Sequence, residues 1–249
     1  YFGIGSISVS RNDQLMAYSV DLKGSEYYDI FLKELSTNKL VEEKIENTSG
    51  GITWSLDSKS YFYTPLDKYH RSKKIYKHIL GTKSKKDELV FEEKDNSFSV
   101  NISLTSDEKF FVITTSDSNT VEEYFFPSNT QKIKPKLFKT REKSIRYSID
   151  SFKNYWYVHT NKNALDYQIL RCHHSNIEEL ETFVPPKEET IIGGLDFLDD
   201  YILRAEKSDA IPKIFIRNVY TNDEKELIIS KEPVGSPGIS LIQKNTNTT

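Results

Sequence analysis

The chain has 249 residues, with 34 Lys and Arg against 37 Asp and Glu and a formal net charge of −3. Charges of both signs are interspersed, which excludes the concentrated basic face that nucleic acid requires, and no apolar stretch is long enough to span a membrane. Tyr and Phe are abundant at 15 and 14, and Gly and Pro sparse at 10 and 8, which suits pleated strands and excludes collagenous or low-complexity chains.

In chain order, the sequence repeats one pattern five times: an apolar strand, a polar turn, and a second apolar strand. The anchors are Ile7–Tyr18, Ile52–Tyr63, Val100–Ile113, Tyr147–Val158 and Ile191–Leu203. The turn positions Asn12, Asp57, Asp107, Phe152 and Asp199 recur at steps of about 45–50 residues, the spacing of β-propeller blades. Between anchors lie further strands. Asp29–Leu35 turns through Ser36–Lys39 into Leu40–Ile45, and Lys74–Leu80 turns at Gly81-Thr82 into Glu88–Glu92. Glu123–Phe126 precedes Pro135–Phe138, Tyr167–Cys172 precedes Glu178–Phe183, and Lys213–Val219 precedes Lys225–Ile229. Each unit therefore reads as two hairpins, or four antiparallel strands. The fold class is all-β: a propeller of about five four-stranded blades over residues 1–243, followed by a polar tail at 244–249.

No long helical period appears; Asn176–Glu181 is too short to count as one. The start lacks a signal-peptide pattern and an initiator Met, and lies directly inside a strand pattern, as in a fragment, a processed chain or a trimmed one. The single Cys allows no internal disulfide and suggests a reducing, cytoplasmic setting. The Lys runs at 83–86 and 132–139 read as solvated loops, and the Asn-x-Ser/Thr triplets at Asn47, Asn101 and Asn247 as chance.

The search for chemistry finds no catalytic constellation. There is no Gly-x-Ser-x-Gly, and Gly3-Ile-Gly5-Ser6 leads into a strand, so it serves neither as a nucleophile elbow nor as a dinucleotide loop. Cys172-His173-His174 resembles a metal cluster, but neighbours in a strand face apart and no further ligand sits at metal spacing. His70, His78 and His159 fall in different units and read as surface or satisfied histidines. The pairs Glu42-Glu43, Glu92-Glu93 and Glu122-Glu123 would need to face each other across a pocket to serve a glycosidase, and strand neighbours do not. Trp54 and Trp156 read as core rather than sugar platforms. No catalytic, cofactor-binding or metal-binding residue is assigned, and no cofactor is expected.

Several blocks nevertheless carry a family resemblance: Ala17–Asp21 with Gly24, Tyr76–Thr82, Asp87–Asp95 with Phe98, Arg141–Lys143 with Tyr147–Asp150, Thr160-Asn161, Glu178–Leu180 and Pro185–Glu188. In these the chain resembles the propeller portion of the oligopeptidase B (protease II) branch of the prolyl oligopeptidase family of serine peptidases. The similarity runs in order and fades after about Val234. Two departures stand out: His159 where the family has Arg, and Ile177 where it has Trp.

The resemblance implies a seven-bladed propeller capping an α/β-hydrolase domain in an enzyme that cleaves short peptides after Arg or Lys. The Ser, Asp and His of such an enzyme lie in the hydrolase domain, so this chain is expected to be an inactive lid that filters oligopeptide substrates. Five blades of seven would leave blade faces open, and the chain would self-associate, retilt into a closed ring, or need the missing parts. Arg141, Arg146 and Asn161 are the candidate contacts with the hydrolase domain or substrate, each with a blade-internal hydrogen-bonding or surface role as its alternative. The alternative for the whole chain is a stand-alone propeller that binds a protein or peptide.

Overall fold

The computed structural model describes residues 1–228. The expected strand end at Ile229, the fading of the resemblance after Val234, the domain edge at 243, the tail and the Asn247 triplet lie outside the described residues. Strands make up 54% of the described residues, which contain no α-helix. They form five four-stranded sheets, in each of which strands adjacent in sequence pair antiparallel.

The first sheet holds β1 (Gly3–Val9), β2 (Leu15–Asp21), β3 (Tyr28–Glu34) and β4 (Leu40–Thr48). The second holds β5 (Thr53–Trp54), β6 (Ser60–Tyr63), β7 (Lys74–Ile79) and β8 (Glu88–Glu92), and the third β9 (Ser99–Leu104), β10 (Phe110–Ser116), β11 (Val121–Pro127) and β12 (Lys136–Lys139). The fourth holds β13 (Tyr147–Phe152), β14 (Tyr155–Thr160), β15 (Gln168–His173) and β16 (Glu181–Val184), and the fifth β17 (Thr190–Phe197), β18 (Tyr201–Ser208), β19 (Ile211–Asn218) and β20 (Glu224–Glu226). These are the four-stranded antiparallel blades of a β-propeller, as the five-fold pattern predicts. The chain divides into two compact units, Tyr1–Ser144 with three sheets and Ile145–Thr249 with two. Within the Asn176–Glu181 segment, the residues before Glu181 form turns and Glu181 opens β16, and the Lys83–Lys86 run contains a single 3-10 turn, Ser84–Lys86.

One turn design is repeated in the first unit. Ser10, Ser55 and Thr105 each donate a hydroxyl to a side-chain oxygen two residues on, at Asn12, Asp57 and Asp107, at 2.7, 2.6 and 3.0 Å. That oxygen in turn accepts the amide of Gln14, Lys59 or Lys109. The next position after the Asx residue is left-handed in all three turns: φ is 55° at Asp13, 58° at Ser58 and 61° at Glu108. A short side chain that mimics a backbone turn therefore closes each β-hairpin and fixes its register. The fourth sheet uses a two-residue turn instead, with Lys153 and Asn154 both at positive φ.

The core of the first unit lies between its sheets. β6 is buried along its whole length and faces two ways. Tyr61 and Tyr63 pack with Ala17, Ile30, Leu32 and Ile45 of the first sheet, while Phe62 packs with Val100, Ile102, Phe111 and Ile113 of the third. Trp54 joins the first cluster, and its indole N–H donates to the Ser8 carbonyl at 3.1 Å, so the polar end is satisfied as the ring is buried. Burial of each large side chain contributes on the order of 2 kcal/mol. In the second unit Phe152, Tyr157, Ile169 and Val184 pack against Ile192, Phe197 and Ile202.

The other face of the first sheet is open. Ile7, Tyr18, Phe31 and Lys44 form one cross-strand row and Val9, Met16, Lys33 and Leu40 the next. Ile7 is 58% exposed, whereas Ile102 on the inner strand of the third sheet is 5% exposed. The alternation that buries a blade on both sides is thus present in the first sheet but covered on only one.

Candidate functional site

Arg141, one of the three sequence candidates, follows β12 and folds back into a pocket of acids. Its Nη2 donates to Glu93 Oε2 at 2.6 Å, to Glu122 Oε1 at 2.9 Å and to Thr115 Oγ1 at 3.3 Å. Its backbone N–H donates to Glu122 Oε2 at 2.9 Å, and the guanidinium lies 4.0 Å over the Phe98 ring. Burial works to raise the Glu93 and Glu122 carboxyls, but the Asp95 amide and Arg141 at Glu93, and Arg141 at Glu122, outweigh it and hold both below the usual range. Burial also opposes the charge on Arg141, yet the two carboxylates raise its pKa further above the ordinary arginine value. Tyr124, half-buried and donating to Glu122 at 2.7 Å, is pushed up to about 12. The group thus binds the loop before the third sheet, that sheet's β11, and the segment leaving it into one charged knot. All of these contacts are to residues of the first unit.

Arg146 and Asn161 belong to the second unit and engage each other. The Arg146 amide donates to Asn161 Oδ1 at 2.8 Å, and the Asn161 amide returns to the Arg146 carbonyl at 3.2 Å. The Arg146 residue is exposed. Asn161 therefore shapes the chain entering β13, while the Arg146 side chain is displayed to solvent.

The inner strands β1, β5 and β9 border a polar cleft of about 290 Å³, lined by Ser6, Ser8, Gly51, Thr53, Thr64 and Asn101 among others. It offers hydroxyls, amides and backbone groups but no Asp, Glu, Lys, Arg or His side chain. Such a wall can hydrogen-bond an extended peptide without selecting its charge.

Ser151 Oγ lies 2.9 Å from His174 Nε2, but Ser151 is wholly buried, out of reach of a substrate. His173 faces away, toward Ser175 at 2.7 Å, and Cys172 is buried. Glu122 and Glu123 also diverge, one to Arg141 and the other to the Thr114 hydroxyl at 2.8 Å. Among the described residues no group of His, Cys, Asp and Glu has the arrangement of a metal site, and no helix is long and apolar enough to cross a membrane.

Three charged or polar clusters were not visible in the sequence. His78 is buried with both ring nitrogens toward carboxylates, Asp87 at 2.8 Å and Glu43 at 3.5 Å. Arg204, 4% exposed, makes a two-pronged contact with Glu224 at 2.7 and 3.0 Å and a further bond to Glu206 at 2.8 Å, which also accepts Lys187. His159, which departs from the family Arg, stacks on Tyr167 at 4.5 Å and donates Nε2–H to the Ile192 carbonyl at 2.8 Å, tying the fourth sheet to the fifth. Burial lowers its pKa, which the bond to that carbonyl only partly offsets. In each case at least one partner comes from a different strand or sheet, so no local motif announces the whole cluster. The resemblance blocks did contain His78 and Asp87, but nothing in them showed that the two meet.

Comparison with known proteins agrees with this architecture. The family described as prolyl oligopeptidase, N-terminal beta-propeller domain, matches residues 1–248. The chain is 26% identical to dipeptidyl aminopeptidase BI of Pseudoxanthomonas mexicana over 96% of its own length and 33% of that protein's. It is 27% identical to protease 2 of Moraxella lacunata over 85% of its length and 31% of that protein's. Its fold superposes on oligopeptidase B of Leishmania major with a TM-score of 0.87 at 20% identity, covering 94% of this chain and 34% of that one. Oligopeptidase B of Trypanosoma brucei gives 0.84 at 23%, with the same coverage. The chain thus spans about a third of the length of the relatives it matches. On its sheets and this match across nearly its whole length, the chain belongs to the prolyl oligopeptidase N-terminal β-propeller domain family.

Proposed function

We propose that the chain is the noncatalytic, substrate-gating propeller of an oligopeptidase B-like serine peptidase. It would work with an α/β-hydrolase domain of the same enzyme, which supplies the Ser, Asp and His and cleaves oligopeptides after Arg or Lys. The observation that carries this reading is the family match over residues 1–248, in a chain that spans only a third of its peptidase relatives. The polar, uncharged wall along β1, β5 and β9 supports it: a filter must let peptides slide without retaining them. A lid that shields the reaction from water also strengthens the electrostatics beneath it. A single, buried cysteine is in keeping with a cytoplasmic setting. The open face of the first sheet favours self-association of the chain on its own.

The test joins this chain to the hydrolase domain of its enzyme and compares two substrates. One is a short Arg-containing peptide, and the other carries the same sequence within a folded protein. The reading predicts cleavage of the first only, and cleavage of both once the propeller is removed. Equal discrimination with and without the propeller would overturn gating and favour a separate binding module.

A further inference from the structure

His78 lies on β7 of the second sheet, and its side chain is 2% exposed. Two carboxylates from different elements converge on its ring. Asp87, before β8 and 1% exposed, lies 2.8 Å from Nδ1, and Glu43, on β4 of the first sheet and 13% exposed, lies 3.5 Å from Nε2. Neither Nε2 of His78 nor Oε2 of Glu43 has a hydrogen-bond partner, and both atoms are buried. The remaining oxygens are occupied: Asp87 Oδ2 accepts the Tyr63 hydroxyl at 2.9 Å, and Glu43 Oε1 accepts the Gly81 amide in the turn after β7.

The proton count follows from this geometry. Two nitrogen–oxygen contacts need two protons between them. A neutral imidazole between two carboxylates supplies one. One contact would then set lone pair against lone pair, buried, in a group of net charge −2. A second proton on the ring, or on Glu43 facing Nε2, restores both contacts and reduces the net charge to −1. The other titratable groups facing the ring are Tyr61, whose ring lies 5.2 Å away, and Tyr63. Burial, followed by the nearby carboxylates, raises both phenols well above their usual value, so they add no charge.

We propose that Glu43 and His78 form a proton-held latch between the first and second sheets: the shared proton keeps Glu43 on the β7–β8 turn, and its loss releases that side chain and loosens the seam. The latch lies wholly within the first unit and takes no part in binding or chemistry assigned above. Its sensitivity runs opposite to that of acid-labile ion pairs, since rising pH removes the shared proton that holds it.

The test uses the intact chain with 15N-labelled histidine, the His78 signals being identified from His78→Gln. Ring nitrogen shifts report the proton directly, and amide hydrogen exchange at Gly81 reports the seam. Over a pH series in which the chain stays folded, we expect loss of one proton at His78 or Glu43 and, with it, exchange at Gly81 about tenfold faster beyond the intrinsic effect of pH. Glu43→Gln offers Nε2 an amide that can donate as well as accept, and is expected to make Gly81 protection independent of pH with the fold intact. His78 nitrogens that do not change while Gly81 protection stays constant would overturn the latch. So would a Glu43→Gln chain whose Gly81 protection keeps the original pH dependence.

Discussion

Arg141 Nη2 and Glu93 Oε2 lie 2.6 Å apart, joining the segment that leaves the third sheet to the loop that enters it. Glu122 of β11 completes the knot at 2.9 Å. Both carboxylate side chains are 6% exposed, and the guanidinium compensates both, together with the Asp95 amide at Glu93. Breaking a buried pair by deleting one partner is costlier than the pair is worth, because a bare charge stays behind.

Arg141→Met is therefore expected to destabilise the first unit by about 3 kcal/mol, the low end for a buried pair because Arg141 itself is partly exposed. Arg141→Lys, which keeps the charge but not the fork, should recover only part of this. Urea midpoints with unchanged slopes would show it, whereas a loss below about 0.5 kcal/mol would place Arg141 among ordinary surface residues.

The same carboxylates set an acid limit. Glu93 and Glu122 are held below their ordinary value once folded, so their contribution is present above the unfolded carboxyl range and is lost as pH falls through the folded values. Unfolding of the wild-type chain followed from about pH 6 to about pH 3 should show a steeper fall in stability than Arg141→Met, which has already lost the pairing. Parallel curves would contradict this.

His159 has its own signature in the second unit. Burial lowers its pKa, so the folded chain resists a proton that the unfolded chain accepts. Stability from this group is complete above about pH 6.5 and declines as pH falls below it. His159→Gln keeps a donor for the Ile192 carbonyl and should flatten that part of the profile. Chemical denaturation at about pH 7.5 and about pH 5.5 is sufficient, and an unchanged slope would refute the assignment.

The repeated hairpin turn predicts one side-chain effect and one backbone effect. Asp57→Ala removes the acceptor for the Ser55 hydroxyl and the Lys59 amide and should cost about 1 kcal/mol. Asp13, at φ 55°, tolerates Gly with little change but should lose about 1–2 kcal/mol as Val, whose branched Cβ disfavours the left-handed region. Thermal midpoints of the three variants give the order directly.

Self-association can be tested on the open face of the first sheet. Ile7 and Val9 lie side by side in the rows with Tyr18 and Met16 and are 58% and 45% exposed. If this apolar surface drives association, Ile7→Lys together with Val9→Lys should lower the mass seen in light scattering without altering the far-ultraviolet spectrum. A wild-type chain that is already monomeric would remove this proposal.

The blades could be read from the sequence because their information is local. Strand alternation repeats every two residues, and the Ser/Thr-x-Asn/Asp turns carry their own hydrogen bonds, so Asn12, Asp57 and Asp107 marked the beat correctly. Strand limits moved by a few residues where pairing across a sheet outweighed local composition. β4 runs on to Thr48 because Thr48 pairs with Tyr28, and β16 starts only at Glu181 because the residues before it form turns. The clusters around His78, Arg141 and Arg204 were not legible, since each joins residues from separate elements. Arg141 was singled out by resemblance alone, and its acidic partners appeared only once the strands were placed. The absence of a catalytic motif was visible from the start, but the gating role came from the family resemblance rather than from any residue pattern.

The most direct measurement of the central claim is cleavage of a fluorogenic Arg-Arg peptide by the purified chain, with and without a serine-reactive fluorophosphonate. The account predicts no turnover and no labelling, because the chemistry belongs to a hydrolase domain. Turnover that survives repurification and is blocked by the fluorophosphonate would place a nucleophile within this chain and contradict the account.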